Sequence, residues 1–189
     1  SALRPRALIA PDAFKGSLRS EAVAQAMRAG LERASWPGSV EVCLVGDGGD
    51  GTLSAFSHRG EGEMQRTLVR GPYGQSVMAD WWMGSDRTAV IELARSSGIA
   101  LSEQRAPLIA SSWGTGELVR TALDAGAKQV LLACGGSATV DGGIGLLSAL
   151  GVRFIGSDGP WDDPRVEDLL DLQEIRVPDA LVGLPLIAL

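Results

Sequence analysis

The chain has 189 residues and a formal net charge of −6, with 45% hydrophobic residues and 25 glycines. This length predicts one large domain or two small ones with a sizeable core. Lysine and arginine are scattered rather than clustered, which argues against nucleic acid as the main partner. The apolar runs are much shorter than the roughly 20 residues that span a bilayer, so no membrane association is expected.

The two cysteines, Cys43 and Cys134, lie at the end of or inside apolar runs. Two thiols placed in this way are typical of a reducing compartment, so we expect buried free cysteines and a cytoplasmic location. The first residues contain too short an apolar stretch for a signal peptide, which agrees with that expectation.

The first third of the chain alternates between strand and helix patterns. Arg6–Ala10 is a strand candidate, and the segment that starts at Ser20 has apolar residues at helical spacing. Val40–Val45 is apolar, which predicts a short strand buried on both faces. A glycine-rich loop and a short helix ending at Gly60 follow. This order predicts part of a parallel-sheet, Rossmann- or flavodoxin-like domain over residues 1–70.

The rest of the chain begins with three strand patterns, MQRTLVRG, QSVMADWWMG and RTAVIELA, which are joined by glycine turns. A helix that starts near Ser111 then ends at Gly126, the residue type favoured just after a helix. A strand at Gln129–Cys134 is followed by a helix that leads into a strand. The tail begins helical and ends in the apolar run LPLIAL. Residues 71–189 are expected to form part of a second α/β domain with a mixed sheet.

Five of the eleven residues in GGSATVDGGIG, Gly135–Gly145, are glycine, and this stretch lies between a strand pattern and a helix pattern. Such a corner exposes backbone N–H groups, which bind phosphate well. We expect the backbone of Gly135 and Gly136 to donate hydrogen bonds to phosphate, with the hydroxyls of Ser137 and Thr139 as additional donors.

Asp141 lies in the same corner, and two roles stay open for it. A carboxylate beside a phosphate site can hold Mg²⁺, which favours one or two carboxylates together with phosphate oxygens. A carboxylate just before a helix can also cap its N-terminus.

A second corner, GDGGDG at Gly46–Gly51, matches the G-x-G-x-x-G pattern of dinucleotide sites. Asp47 and Asp50 would repel a pyrophosphate, and no acidic residue follows about 20 residues later, so an NAD(P)-dependent dehydrogenase is the weaker alternative. Two carboxylates suit a metal ion or a substrate hydroxyl better, and a local Asx turn is the structural alternative. Asp47–Phe56 also matches Asp141–Leu150 at seven of ten positions. Two interpretations stay open: the chain builds the same kind of anion-facing corner twice, or any tight corner between a strand and a helix favours glycine and small residues.

Two further polar groups stand near predicted strand ends. The loop PDAFKGS places Asp12, Lys15 and Ser17 just after the first strand, where the lysine can neutralise an anion and the serine can donate a hydrogen bond. Glu92 lies in the apolar strand AVIELA, so it is either on an edge or buried for a purpose. With His58 as the only histidine, a catalytic triad and a histidine-based zinc site have little support.

Taken together, IAPDAFKGSL, GDGGDGTLSAF, VIELARSSGIAL and the segment from SSWGTGEL to GGSATVDGG resemble the bacterial glycerate kinase family, of the type found in glyoxylate and glucarate pathways. The resemblance runs from about Leu8 to about Arg153. It implies phosphorylation of D-glycerate to a phosphoglycerate with ATP and Mg²⁺. Of the two possible products, we expect 2-phosphoglycerate. It also implies two α/β domains, one Rossmann-like and one inserted, with the site in the cleft between them.

The resemblance also implies roles for particular residues. Asp47 is the first candidate to orient or deprotonate the glycerate hydroxyl, and Asp141 is the second; the same two are candidate metal ligands. Lys15 would offset the charge that develops during transfer. The expected substrate- and phosphate-binding residues are Asp12, Ser17, Gly48, Gly49, Asp50, Gly135, Gly136, Ser137 and Thr139.

The sequence departs from the family pattern in two ways. Gly46 and Asp50 replace the usual alanine and glutamate of one corner, and Val140 replaces an asparagine beside Asp141 in the other. The resemblance also covers only the first half of a family member. We therefore expect a truncated chain whose partner is the missing C-terminal half or another copy of itself, and a non-catalytic kinase-like fragment is an alternative function.

Overall fold

A computed structural model describes residues 4–14, 17–49 and 51–189, so Lys15 and Asp50 lie outside the described residues. Its elements, in chain order, are β1 (Arg6–Ile9), α1 (Ser20–Arg33), β2 (Ser39–Val42), α2 (Thr52–Arg59), β3 (Gly62–Arg70), β4 (Ser76–Gly84), β5 (Thr88–Glu92), α3 (Ala94–Ser97), α4 (Trp113–Asp124), β6 (Gln129–Ala133), α5 (Ile144–Leu150), β7 (Arg153–Gly156), β8 (Gly159–Pro160), β9 (Glu174–Arg176) and β10 (Leu186–Ala188). Short 3-10 turns cover Ile99–Leu101, Val166–Asp171 and Asp179–Leu181. The α/β class is confirmed, with a parallel sheet and a mixed sheet.

The first sheet consists of β1 and β2, which pair in parallel from Arg6 opposite Ser39 to Ile9 opposite Val42. A small apolar cluster joins Ile9 to Ala24 of α1. The expectation that residues 40–45 form a strand buried on both faces is wrong, because β2 ends at Val42 and that side chain is 41% exposed. Within the part of the chain that the structure describes, this sheet has two strands, so β2 is an edge strand with no second partner strand.

The second sheet has the order β10-β6-β5-β4-β3. Strand β4 pairs antiparallel with both β3 and β5, whereas β6 pairs parallel with both β5 and β10. The predicted mixed sheet is therefore confirmed, and the apolar tail forms its edge strand β10. The division of the chain at residue 70 stays a prediction; β3, which ends at Arg70, pairs with β4 over its full length.

The main core lies between this sheet and α4. Ile91, Leu118 and Val130 are fully buried there, because the apolar face of the amphipathic helix packs on the central strands. Helices α4 and α5 cross closely at Gly116, where an added Cβ would lie 2.3 Å from the backbone oxygen of Leu146. On the opposite face, α2 covers the sheet. The helix end predicted at Gly126 is confirmed, since this residue has φ +89 just after α4.

A third, small sheet follows α5, with the order β8-β7-β9. The tail was expected to begin helical, and it does so as a 3-10 helix at Val166–Asp171. Phe154 of β7 is buried and packs with Ile144 and Val152, which attaches this sheet to α5. No helix among the described residues has both the length and the apolar character required to cross a membrane.

Both cysteines are free thiols, but the expectation that both are buried is wrong. Cys43 is half-buried and Cys134 is exposed, because Cys134 follows the end of β6, where the chain leaves the sheet. Partial burial of its sulfur nevertheless raises the pKa of the Cys134 thiol.

Candidate functional site

An open cleft of about 640 Å³ brings together three loops that are far apart in the sequence. These are the loop after β1, the loop before α2 and the loop after β6. The residues that line the cleft are Asp12, Ala13, Phe14, Ser17, Leu18, Arg19, Asp47, Gly48, Gly49, Gly135, Gly136 and Leu189. Seven of the predicted site residues are therefore neighbours in one cleft, although no single segment of the sequence contains them all.

The other predicted site residues do not line this cleft. Lys15 and Asp50 lie outside the described residues. Ser137 and Thr139 are half-buried and hydrogen-bond to each other, with 3.0 Å between their hydroxyl oxygens. Asp141 is buried behind the cleft, with 3% of its surface exposed.

The two glycine-rich corners contact each other directly. The backbone N–H of Gly135 donates to the carbonyl oxygen of Gly48 over 2.8 Å. A Cβ at position 135 would lie 2.6 Å from the Cα of Gly49, closer than real Cβ atoms come to backbone. The lack of a side chain at Gly135 is therefore explained by the approach of the neighbouring corner, with no bound ligand required.

Asp47 lies at the exposed side of this contact. Its Oδ1 accepts a 2.8 Å hydrogen bond from the N–H of Gly49, which is the geometry of an Asx turn. Gly48 has φ +84, and its N–H donates to the hydroxyl of Thr52. Among the described residues, no hydrogen bond engages Oδ2 of Asp47. One carboxylate oxygen therefore fixes the loop, and the other is available to a ligand in the cleft.

Glu92 is buried at the end of β5, with 1% of its surface exposed. Its Oε1 accepts hydrogen bonds from the N–H groups of Gly51 and Leu53, over 3.0 and 2.8 Å. Its Oε2 accepts one from Nε of Arg95 over 2.9 Å. This carboxylate occupies the N-terminus of α2, where unpaired N–H groups and the helix dipole favour negative charge. Of the two positions left open for Glu92, at an edge or buried, the structure shows the buried position.

Asp141 has a comparable position at the start of α5. Its Oδ2 accepts hydrogen bonds from both the N–H and the hydroxyl of Ser112, over 2.8 and 2.7 Å, and a longer one of 3.3 Å from Gly145. Its Oδ1 accepts one from Gly143 over 3.1 Å. Both oxygens are thus engaged in joining the starts of α4 and α5, as expected for the capping role.

The two similar decapeptides share their local geometry. In each, the first aspartate accepts a hydrogen bond from the N–H two residues later, and a helix follows. In each, a buried carboxylate of the protein itself lies at the helix start: Glu92 in the first and Asp141 in the second. The repeated sequence therefore corresponds to a repeated corner in which the start of the helix already contacts a carboxylate of the protein.

The sequence reasoning missed Arg19. It is the only cation among the described residues that line the cleft. It lies four positions after Lys15, just before α1, and a search that extended the PDAFKGS loop to the start of the helix would have found it. Missed as well were the exposed apolar side chains of Phe14, Leu18 and Leu189, which form part of the cleft wall.

The donor set agrees with a Mg²⁺ site that needs phosphate to complete it. No group of three or more histidine, cysteine or acidic side chains is placed to hold a metal ion in the described ranges. Mg²⁺ accepts one or two carboxylates when phosphate oxygens supply the remaining ligands. The free oxygen of Asp47 and the exposed carboxylate of Asp12 line the same cleft and are suitable ligands of that kind.

Comparison with known proteins identifies one family. The family model described as "Glycerate kinase family" matches residues 7–183. A glycerate 2-kinase of Escherichia coli K12 is 42% identical over 156 residues, which cover 80% of this chain and 41% of that protein. A glycerate kinase of Bacillus subtilis 168 is 42% identical over 174 residues, which cover 90% of this chain and 45% of that protein.

A solved structure shows the same relationship. A crystal structure from Salmonella typhimurium LT2 that carries the name glycerate kinase 2 superposes with a TM-score of 0.78 at 37% sequence identity. The match covers 95% of this chain and 48% of the other. The chain thus spans less than half the length of the relatives that it matches.

Proposed function

Because this chain belongs to the glycerate kinase family, we propose that the protein of which it forms part transfers a phosphoryl group from ATP to a hydroxyl of D-glycerate, with Mg²⁺. The name of the relative from Escherichia coli, a glycerate 2-kinase, supports the 2-hydroxyl as the acceptor. The two aspartates of GDGGDG and the family match leave the dehydrogenase alternative without support.

The observation that carries this proposal is the convergence of three corners on one cleft. Phosphoryl transfer requires mainly positioning and charge neutralisation, rather than covalent chemistry by the protein. The cleft offers one free carboxylate oxygen on Asp47, a cation on Arg19 and closely packed glycine backbone, so that a small anionic substrate can approach the main chain.

In this proposal, Asp47 orients the acceptor hydroxyl and accepts its proton through Oδ2, while the N–H of Gly49 holds Oδ1 in place. We assign this role to Asp47 rather than Asp141, because both oxygens of Asp141 already accept hydrogen bonds. Bound Mg²⁺ would supply charge neutralisation on the phosphates, with the carboxylate of Asp12 as its protein ligand, because Oδ2 of Asp47 is committed to the acceptor hydroxyl. Lys15 would add positive charge from the same loop as Asp12.

The test is D-glycerate-dependent release of ADP in the presence of Mg²⁺, measured on this chain beside the longest open reading frame that contains it. Asp47→Asn should lower turnover at least about a hundredfold in whichever form is active. Asp158→Asn is the matched control, because it removes the same charge from an exposed turn between β7 and β8. Turnover near that of the unsubstituted protein would exclude Asp47 as the base, and inactivity of both folded forms would contradict the proposed reaction.

A further inference from the structure

The starts of the two helices that follow the glycine-rich corners are not available to a ligand. At α2, the N–H groups of Gly51 and Leu53 donate to Glu92. At α5, the N–H groups of Gly143 and Gly145 donate to Asp141. A phosphate at either helix start would have to displace a buried carboxylate and would meet its negative charge. An anion in the cleft therefore needs other donors.

Three residues that line the cleft, Arg19, Ser17 and Gly136, carry hydrogen-bond donors that a ligand can use. These donors are a guanidinium, a hydroxyl and a backbone N–H. None of these three groups has a hydrogen-bond partner within residues 4–14, 17–49 and 51–189. By contrast, the N–H groups of Gly48 and Gly49 already donate within their own loop.

The charge of the cleft indicates which of these donors dominates. Asp12 and Asp47 make the described wall acidic, and Arg19 supplies its only positive charge. Arg19 also lines a water-sized cavity of about 20 Å³ that adjoins the cleft, together with Glu21, whose carboxylate interacts with it electrostatically. In the described wall of the cleft itself, Arg19 is the group that offers a positive charge to an oxyanion. Arginine also presents a planar set of donors that fits a phosphate or carboxylate in two-point contact.

We propose that Arg19, with the hydroxyl of Ser17 and the N–H of Gly136, forms the subsite of the cleft that binds an oxyanion of the ligand. The oxyanion is a phosphate of the nucleotide or the carboxylate of the acceptor acid. The part that this subsite plays in catalysis rests on the proposed function, but its affinity for an oxyanion does not.

Calorimetric titration of the 189-residue chain with inorganic tripolyphosphate and, separately, with D-glycerate tests the subsite and distinguishes the two sources. Arg19→Ala should weaken the binding of one of these ligands at least about tenfold, the effect of losing a charge-assisted hydrogen bond. Arg19→Lys should bind with an affinity between those of the unsubstituted chain and Arg19→Ala, because lysine keeps the charge and loses the planar donors. The ligand whose binding is weakened by Arg19→Ala identifies the oxyanion.

Arg28→Ala is the control, because Arg28 is an exposed arginine of α1, the helix that follows Arg19, and it is ion-paired with Glu32 outside the cleft. It should leave both affinities unchanged, and circular dichroism should show that all variants are folded. The proposal is overturned if the unsubstituted chain binds neither ligand, if Arg19→Ala binds both as tightly as the unsubstituted chain, or if Arg28→Ala weakens binding equally. Tight Arg19-dependent binding, with no glycerate phosphorylation by either this chain or the longest open reading frame that contains it, would keep the subsite and refute only the proposed reaction.

Discussion

Removal of the Glu92 carboxylate should destabilise the protein strongly. Glu92→Ala leaves the N–H groups of Gly51 and Leu53 and the guanidinium of Arg95 without the oxygens that they now contact at 2.8 to 3.0 Å. Because Glu92 is 1% exposed, water does not replace it freely. Breaking a fully buried charged pair costs about 3–5 kcal/mol, but the side chain of Arg95 is 32% exposed and keeps contact with water. We therefore expect the free energy of unfolding to fall by about 3 kcal/mol, the lower end of that range.

Glu92→Gln separates the shape of the side chain from its charge. The amide keeps one oxygen for the two N–H groups of α2, but its NH₂ group then faces the donor Nε of Arg95. We expect a loss of about 1.5–3 kcal/mol, smaller than that for alanine.

Urea unfolding monitored by tryptophan fluorescence is a suitable assay, because the chain contains five tryptophans. Glu32→Ala is the matched control, since this glutamate forms an exposed ion pair on α1. Removing the Glu32 carboxylate should lower the free energy of unfolding by less than about 1 kcal/mol. A loss for Glu92→Ala no larger than that for Glu32→Ala would refute the argument that a buried carboxylate supports the start of α2.

Two further predictions concern the glycine-rich corner and the exposed thiol. Gly135→Ala should lower the free energy of unfolding by about 1–3 kcal/mol, because its Cβ would lie 2.6 Å from the Cα of Gly49. Gly30→Ala in the last turn of α1, where an added Cβ meets no other atom, should raise the free energy of unfolding by about 0.5–1 kcal/mol. Thermal unfolding of both variants tests this, and equal effects would contradict it. Because burial raises the pKa of the Cys134 thiol, its alkylation by iodoacetamide in a Cys43→Ser background should have its midpoint at higher pH when the chain is folded than in urea, and identical midpoints would contradict this.

Local pattern was sufficient to predict most elements of the fold. The alternation in QSVMADWWMG corresponds to β4, and the helix that ends at Gly126 is α4. These features depend on neighbours in the sequence, through period-two or helical spacing and through the positive φ that glycine adopts readily. Burial was harder to predict. Apolar composition suggested a fully buried β2, but burial of a strand depends on the layers that cover it, and those lie elsewhere in the chain.

The sequence by itself pointed to seven of the described residues that line the cleft, because short loops after strands carry its aspartates and glycines. Only the tertiary structure decided what each of these groups contacts. Glu92 reaches the start of α2 from a strand about forty residues away, and a side chain at Gly135 is excluded because Gly48 and Gly49 pack against it. Such pairs are set by strand order and helix packing, so no local pattern could reveal that Glu92 occupies the start of α2.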